Sequence, residues 1–111
     1  MTELEKAEAI ARIAIKNGEE KNLDLLTEEC AELIQAISKY KRTRNKYPVA
    51  EEMADVYITL TENLITLDLD KKVMEIVDFK IVRTLEKMAE QTEDDISQFF
   101  DRLMKRFTEV R

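Results

Sequence analysis

The chain has 111 residues, with 24 acids against 18 bases, a formal net charge of −6, one glycine, one proline, one cysteine and no histidine. This size predicts a single domain over residues 1–111, and the abundance of good helix formers predicts an all-α fold. The negative charge disfavours a nucleic-acid or anionic-membrane binder, and the lack of histidine excludes serine–histidine, cysteine–histidine and zinc–histidine chemistry within the chain.

Cysteine use and the apolar runs predict the cellular setting. Cys30 has no second cysteine with which to form an internal disulfide, and the N-terminus lacks the apolar core of a signal peptide. No apolar run approaches the roughly 20 residues that a membrane span needs. We therefore expect a soluble protein of the reducing cytoplasm.

Five helices are expected in chain order, and the residues at their ends define them. Thr2 is the expected N-cap of the first helix, and Asn17-Gly18 is its expected stop. Pro48 falls in the first turn of the third helix, and Thr92-x-x-Asp95 resembles a capping sequence for the last. The expected bounds are about residues 2–16, 22–42, 48–67, 70–90 and 92 onward.

The second helix carries an apolar stripe beside an acidic one. Glu29 and Glu32 lie on a stripe that also holds Leu25 and Ala36, so both acids border the core. A partly buried carboxylate must be neutralised, paired or bound to a metal. The neighbouring stripe, expected to be core, consists of Leu23, Leu26, Cys30, Leu33, Ile37 and Tyr40.

The third helix is apolar on two sides, which is typical of a helix buried between layers. The second apolar line could equally face another subunit. One line is Val49, Met53, Val56, Tyr57, Leu60, Leu64 and Leu67, and the other is Ala54, Ile58 and Ile65. A polar strip between them, where a polar site could lie, consists of Glu52, Asp55, Thr59, Glu62, Asn63 and Thr66.

Two acidic pairs predict a metal site. Residues three apart lie on one helix face, so Glu29 with Glu32, and Glu52 with Asp55, can each aim two carboxylates at one point. If the two helices are antiparallel neighbours, the pairs lie within about one helical turn of each other. Four converging carboxylates without nitrogen or sulfur ligands suit Mg²⁺, or Mn²⁺, better than zinc or copper. Such ions also bridge to substrate phosphates.

Cationic residues in two places are candidates for phosphate binding. In the fourth helix Lys80 falls on the inner arc of Val73, Val77, Ile81, Leu85 and Met88, and Arg83 continues its ridge. We expect these two residues to hold the outer phosphates, the alternative being ordinary solvated side chains. The basic connection at 41–47 is interpreted as a solvated loop, with phosphate contact as the second possibility.

The last helix has a strong apolar face with three phenylalanines. It is interpreted most simply as core, and a dimerising surface or a lid with a base-stacking ring is the alternative. The face consists of Ile96, Phe99, Phe100, Leu103, Met104 and Phe107.

The acidic motifs resemble those of the MazG-like, all-α nucleoside triphosphate pyrophosphohydrolase superfamily. Its hallmark is EExxE, a variable gap and ExxD, which correspond here to Glu28-Glu29-x-x-Glu32 and Glu52-x-x-Asp55. The resemblance covers roughly residues 10–87. It implies a four-helix-bundle-like core, here followed by an additional C-terminal helix.

The resemblance also implies an activity. Glu29, Glu32, Glu52 and Asp55 would coordinate Mg²⁺ as the catalytic set, and water would attack the α-phosphorus of a nucleoside triphosphate to release pyrophosphate. Lys80 carries over from the family, whereas Arg83 stands where members often have asparagine. A homodimer or homotetramer is expected.

Base and sugar contacts are not assigned by the resemblance. Asn22 and Asn63 are candidates by position and polarity alone. Two alternatives to nucleoside triphosphate hydrolysis stay open at this point. One is a phosphoribosyl-ATP-type pyrophosphohydrolase, and the other is a non-catalytic interaction or regulatory module with a structural divalent ion.

Overall fold

A computed structural model describes residues 1–89 and 93–109, and within these ranges the chain contains five helices and no strand. The all-α prediction is therefore confirmed. Among the described residues, none of the helices has the length and hydropathy of a membrane span. Residues 90–92, with the predicted Thr92 cap and the predicted end at Glu90, lie outside the described residues. The helices are α1 (Glu3–Asn17), α2 (Glu19–Thr43), α3 (Tyr47–Thr66), α4 (Asp70–Met88) and α5 (Glu93–Glu109).

The ends of α1 follow from its sequence. Thr2 caps the helix as predicted, and its hydroxyl accepts from the Glu5 amide while the Glu5 carboxylate accepts from the Thr2 amide. Gly18 ends the helix with φ 82°, a value that costs glycine nothing because it has no Cβ. The next helix begins at Glu19, earlier than the predicted residue 22, because this one residue makes the whole turn.

The connection between α2 and α3 is also shorter than predicted. α2 runs to Thr43, and only residues 44–46 separate it from α3. Arg44 adopts the left-handed conformation, with φ 58° and ψ 19°, and its amide donates to the Tyr40 carbonyl. Its guanidinium lies 5.5 Å from the centre of the Tyr40 ring. Pro48 occupies the first turn of α3, as predicted.

The chain divides into two compact units, each described by itself. In Met1–Val73, the three helices α1, α2 and α3 pack together, most extensively α2 against α3. Met74–Arg111 contains most of α4 and all of α5, and these two helices do not pack against each other. The single domain expected from chain length stays a prediction.

Hydrogen bonds between side chains and backbone join the three helices of the first unit. Asn22, fully buried on α2, donates from Nδ2 to the Ala14 carbonyl of α1 at 3.0 Å. Asn63 on α3 donates from Nδ2 to the Asn22 carbonyl at 2.8 Å and to the Thr59 carbonyl at 2.8 Å. Two asparagines therefore connect α1 to α2 and α2 to α3. Asn22 and Asn63 thus have a packing role, and their candidacy for base or sugar contacts stays a prediction.

The buried face of α3 is its polar strip, which corrects the sequence-based choice of core face. Thr59, Glu62 and Asn63 are the buried residues of the helix. Met53 and Tyr57, on the predicted core line, are 54% and 65% exposed. A helix that is apolar on two sides can turn only one strip toward α2, and the asparagine hydrogen bonds require that strip to be the polar one.

The same correction applies to α2 and α4. Leu23 and Ile37 on the predicted core stripe of α2 are exposed, whereas Ala36 on the acidic stripe is buried. On α4, Ile81 and Leu85 are exposed although the sequence predicted them to point inward. Helical periodicity identifies an apolar face but does not identify which surface covers it.

The apolar face of α5 is exposed as well, so its interpretation as core is wrong for the chain by itself. Each of the six predicted residues has more than a third of its surface in solvent. They are Ile96, Phe99, Phe100, Leu103, Met104 and Phe107.

We expect Asn63→Ala to lower the free energy of unfolding by about 1–3 kcal/mol, because it removes two hydrogen bonds and leaves buried polar groups unpaired. Urea denaturation followed by circular dichroism measures the change. Gln35→Ala, at an exposed position of α2, is the matched control and should change stability by less than about 0.5 kcal/mol. Equal losses in the two variants would contradict the packing role.

Candidate metal centre

Four carboxylates from α2 and α3 converge on one point of the first unit. Glu29 and Glu32 come from α2, and Glu52 and Asp55 come from α3. One oxygen from each of the four lies within 4.8 Å of the corresponding oxygen of every other. The structure therefore brings together all four residues that the sequence analysis proposed as metal ligands.

The helix register explains this convergence. Glu32 lies 11 residues before the end of α2 and Asp55 lies 8 residues after the start of α3, or about 16 Å and about 12 Å along the two axes. The predicted helix ends give a mismatch of about one turn, and the observed shortfall of about 4 Å is slightly smaller. The glutamate side chains are long enough to span this axial difference, although the connection between α2 and α3 is shorter than predicted.

Burial and crowding raise the pKa values of two carboxyls of the cluster, Glu29 and Glu52. Desolvation, followed by the adjacent Glu32 carboxyl and the charges of Asp55 and Glu52, raises the pKa of Glu29 to about 7. Desolvation and then the charge of Glu32 also raise the pKa of Glu52. Among the described residues, no hydrogen-bond donor meets Glu29 Oε2 or Glu52 Oε2, and both atoms are buried. A proton or a cation is needed to stabilise such a group.

The donor set fits a hard divalent cation. Mg²⁺ binds oxygen at 2.0–2.1 Å in an octahedron, so its opposite ligands lie about 4.2 Å apart. The 4.8 Å spread of the four oxygens is only slightly wider, and small rotations of the exposed Asp55 would close it. Two ions about 3.5–4 Å apart, as in two-metal hydrolases, would also be compatible with this spread.

Glu62 is a further buried acid whose environment the sequence did not predict. Its side chain is 3% exposed, and burial raises its pKa. In residues 1–89 and 93–109, no donor meets Glu62 Oε2 or the Oδ1 of Asn63. The sequence placed Glu62 on the polar strip of α3, and the missing information was that this strip faces inward.

The two predicted phosphate ligands lie on α4 in the second unit. Lys80 is exposed, not held on a buried inner arc as expected. Arg83 is also exposed, and its guanidinium lies 5.9 Å from the centre of the Phe79 ring. Their role as phosphate ligands stays a prediction.

The basic connection is exposed at every position from 41 to 47. Lys46 lines a surface pocket of about 330 Å³ together with Tyr40, Val49, Ala50 and Met53. These observations agree with a solvated connection, and phosphate contact stays a prediction.

Comparisons with known proteins gave no match, whether to a family model, a curated protein or a solved structure. Any assignment of function therefore rests on the residues of the carboxylate cluster and on the motifs that contain them.

In the metal-free protein we expect stability to fall as pH rises from about 4.5 to about 7, the two pKa values of Glu29 in the unfolded and folded chain. Folded Glu29, with a pKa of about 7 instead of the ordinary 4.5, retains a proton that the unfolded chain has lost. Folding therefore binds protons between these two pKa values, and the stabilisation is lost as pH rises through the folded pKa. The melting temperature with a chelator present should be several degrees lower at the higher pH.

The variant Glu29→Gln has no titrating group at this position. Its melting temperature should therefore depend less on pH than that of the unaltered chain. Adding Mg²⁺ at the higher pH should raise the melting temperature of the unaltered chain more than that of the variant. A pH dependence unchanged by Glu29→Gln would contradict the assignment.

Proposed function

We propose that this chain is a Mg²⁺-dependent pyrophosphohydrolase that cleaves a nucleoside triphosphate to a monophosphate and pyrophosphate, as MazG-like all-α enzymes do. The observation that carries the proposal is the convergence of Glu29, Glu32, Glu52 and Asp55 within 4.8 Å. Two of these carboxylates have buried oxygens that no donor of the described residues meets, as expected for a centre that is completed by a cation.

The proposed chemistry follows from an all-oxygen cluster. Bound Mg²⁺ would neutralise the carboxylates and withdraw charge from the phosphoryl oxygens of the substrate. An acidic chain could then bind an anionic substrate, because the cation lies between the two sets of oxygens. Lys80 and Arg83 would hold the outer phosphates as they separate from the nucleotide.

Glu29 is the proposed proton acceptor. A water oxygen forms a bond to the α-phosphorus, the bond from that phosphorus to the bridging oxygen breaks, and pyrophosphate leaves with the electron pair. The proton of the water passes to Glu29 Oε2, which is buried and has no donor within the described chain.

We also propose that the active form is a homodimer or homotetramer. Both apolar lines of α3 have members that are more than a third exposed, among them Tyr57 at 65% on one line and Ile58 at 39% on the other. Exposed apolar area of this kind marks association surfaces. The same observation favours a second candidate, an interaction module in which the acidic cluster holds a structural ion. Turnover separates the two.

We expect Glu52→Gln to lower the turnover of the preferred nucleotide by at least about 100-fold, because it removes a charged ligand from the cation. A panel of canonical and modified nucleoside triphosphates, phosphoribosyl-ATP included, is assayed for pyrophosphate with Mg²⁺, and the nucleotide product is identified. The matched control is Glu28→Gln, at an exposed acid outside the cluster. It should retain nearly full activity.

Absence of pyrophosphate from the whole panel would refute the enzymatic proposal. If the chain were nevertheless stabilised by Mg²⁺, the interaction module would become the better description. Equal losses in Glu28→Gln and Glu52→Gln would show that the four-residue cluster is not the reacting centre.

We expect Lys80→Met to lower kcat/KM by about tenfold or more, because a charge-assisted hydrogen bond to phosphate is worth about 1.5–3 kcal/mol. Lys71→Met, also exposed on α4 but on the opposite side of the helix, is the matched control. Steady-state kinetics on the preferred nucleotide measures both variants. If the two substitutions had the same effect, Lys80 would be only one of several surface charges.

A further inference from the structure

The exposed apolar face of α5 has a palindromic arrangement. Its six large apolar residues map onto one another when the helix is reversed about the point between residues 101 and 102. Ile96 then falls on Phe107, Phe99 on Met104, and Phe100 on Leu103. Four of them, Ile96, Phe100, Leu103 and Phe107, also have the alternating spacing of four and three residues that forms a coiled-coil seam. Their exposure runs from 37% at Leu103 to 68% at Phe107.

No helix in the described part of the second unit covers this face. α4 and α5 belong to the same unit, Met74–Arg111, and do not pack against each other. A contiguous stripe of large apolar side chains in water is unfavourable and marks an interaction site. In an antiparallel pair with its twofold axis between residues 101 and 102, Ile96 of one copy faces Phe107 of the other and Phe100 faces Leu103, so a palindromic stripe places apolar residues against apolar ones.

Charge is divided between the two halves of this segment. Residues 93–101 contain four acids and no base, whereas residues 102–109, the rest of α5, contain three bases and one acid. In a parallel pair, the acidic halves would face each other and so would the basic halves, so both contacts would be repulsive. In an antiparallel pair each acidic half faces a basic half, and the helix dipoles also oppose.

We propose that α5 is an association surface that pairs antiparallel with α5 of a second copy of this chain. Around the twofold axis, Ile96 would pack against the partner's Phe107, and Phe100 against the partner's Leu103. The 17-residue helix is about 25 Å long, which accommodates these four layers. Association of this kind does not depend on the carboxylate cluster, so it holds whether or not the chain is an enzyme.

The first experiment is a charge exchange between two full-length variants. Arg102→Glu with Lys105→Glu and Arg106→Glu makes both halves of the segment acidic. Glu93→Lys with Asp94→Lys and Asp101→Lys makes the acidic half basic. In sedimentation equilibrium, each variant alone should have half the assembly mass of the unaltered chain. An equimolar mixture of the two variants should regain the mass of the unaltered chain.

The mixture also controls for misfolding, because a variant that cannot fold cannot restore association. The proposal is overturned if each variant alone keeps the mass of the unaltered chain, or if the mixture stays dissociated. Neither outcome depends on turnover, so failure of this proposal is distinguishable from failure of the enzymatic one.

The second experiment measures orientation by spin-label distances between copies in a Cys30→Ser background. Labels at Asp101→Cys lie beside the proposed axis. Position 108 of one copy lies opposite position 95 of the other, so two labels at Thr108→Cys are separated by 13 residues, or about 20 Å along the helix. The antiparallel pair therefore predicts a short distance at 101 and a distance longer by roughly that amount at 108. Equal distances indicate a parallel pair, and the absence of any distance between copies indicates that another part of the chain covers α5. Either result overturns the proposal.

Discussion

The hydrogen bonds of two buried asparagines set the register on which the first unit depends. Asn22 bonds to a carbonyl of α1, and Asn63 bonds to a carbonyl of α2. On α2 the first acid of the cluster, Glu29, lies seven residues after Asn22, which is about two turns along the same face. On α3 the matching acid, Asp55, lies eight residues before Asn63. Because the two helices are antiparallel, fixing Asn22 opposite Asn63 also brings the acidic pairs opposite each other.

This register has an energetic consequence, since it places polar groups where a helical bundle normally places apolar ones. The buried residues of α3 are Thr59, Glu62 and Asn63, and among the described residues the largest fully buried side chain is that of Asn22. Two oxygens of the cluster and one of Glu62 are buried without a donor in the described chain. Hydrogen bonds contribute modestly, and burying unpaired carboxylates is unfavourable. Under the proposed function, a bound cation and association through the exposed apolar flanks would offset that cost.

The sequence was sufficient to predict the helices and the four residues of the cluster. It was not sufficient to predict which face of each helix is buried. Glycine, proline and capping residues act locally, so Thr2, Gly18 and Pro48 marked helix ends correctly. The spacing of three residues placed Glu29 with Glu32, and Glu52 with Asp55, by helix geometry alone. Periodicity could not decide between the polar strip and the apolar lines of α3, because that choice depends on the Asn63 bond to a carbonyl 41 residues away.

A cluster made only of carboxylates also constrains how the proposed substrate and cation would bind. Mg²⁺ dehydrates reluctantly, retains several waters and is normally shared with substrate phosphates, so protein oxygens alone rarely complete its coordination. In the absence of both, Glu29 would be partly protonated near neutral pH, since its pKa is about 7. Cation binding must displace that proton, and a polyphosphate that supplies further oxygens favours the displacement. Nucleotide and cation would therefore each strengthen the binding of the other.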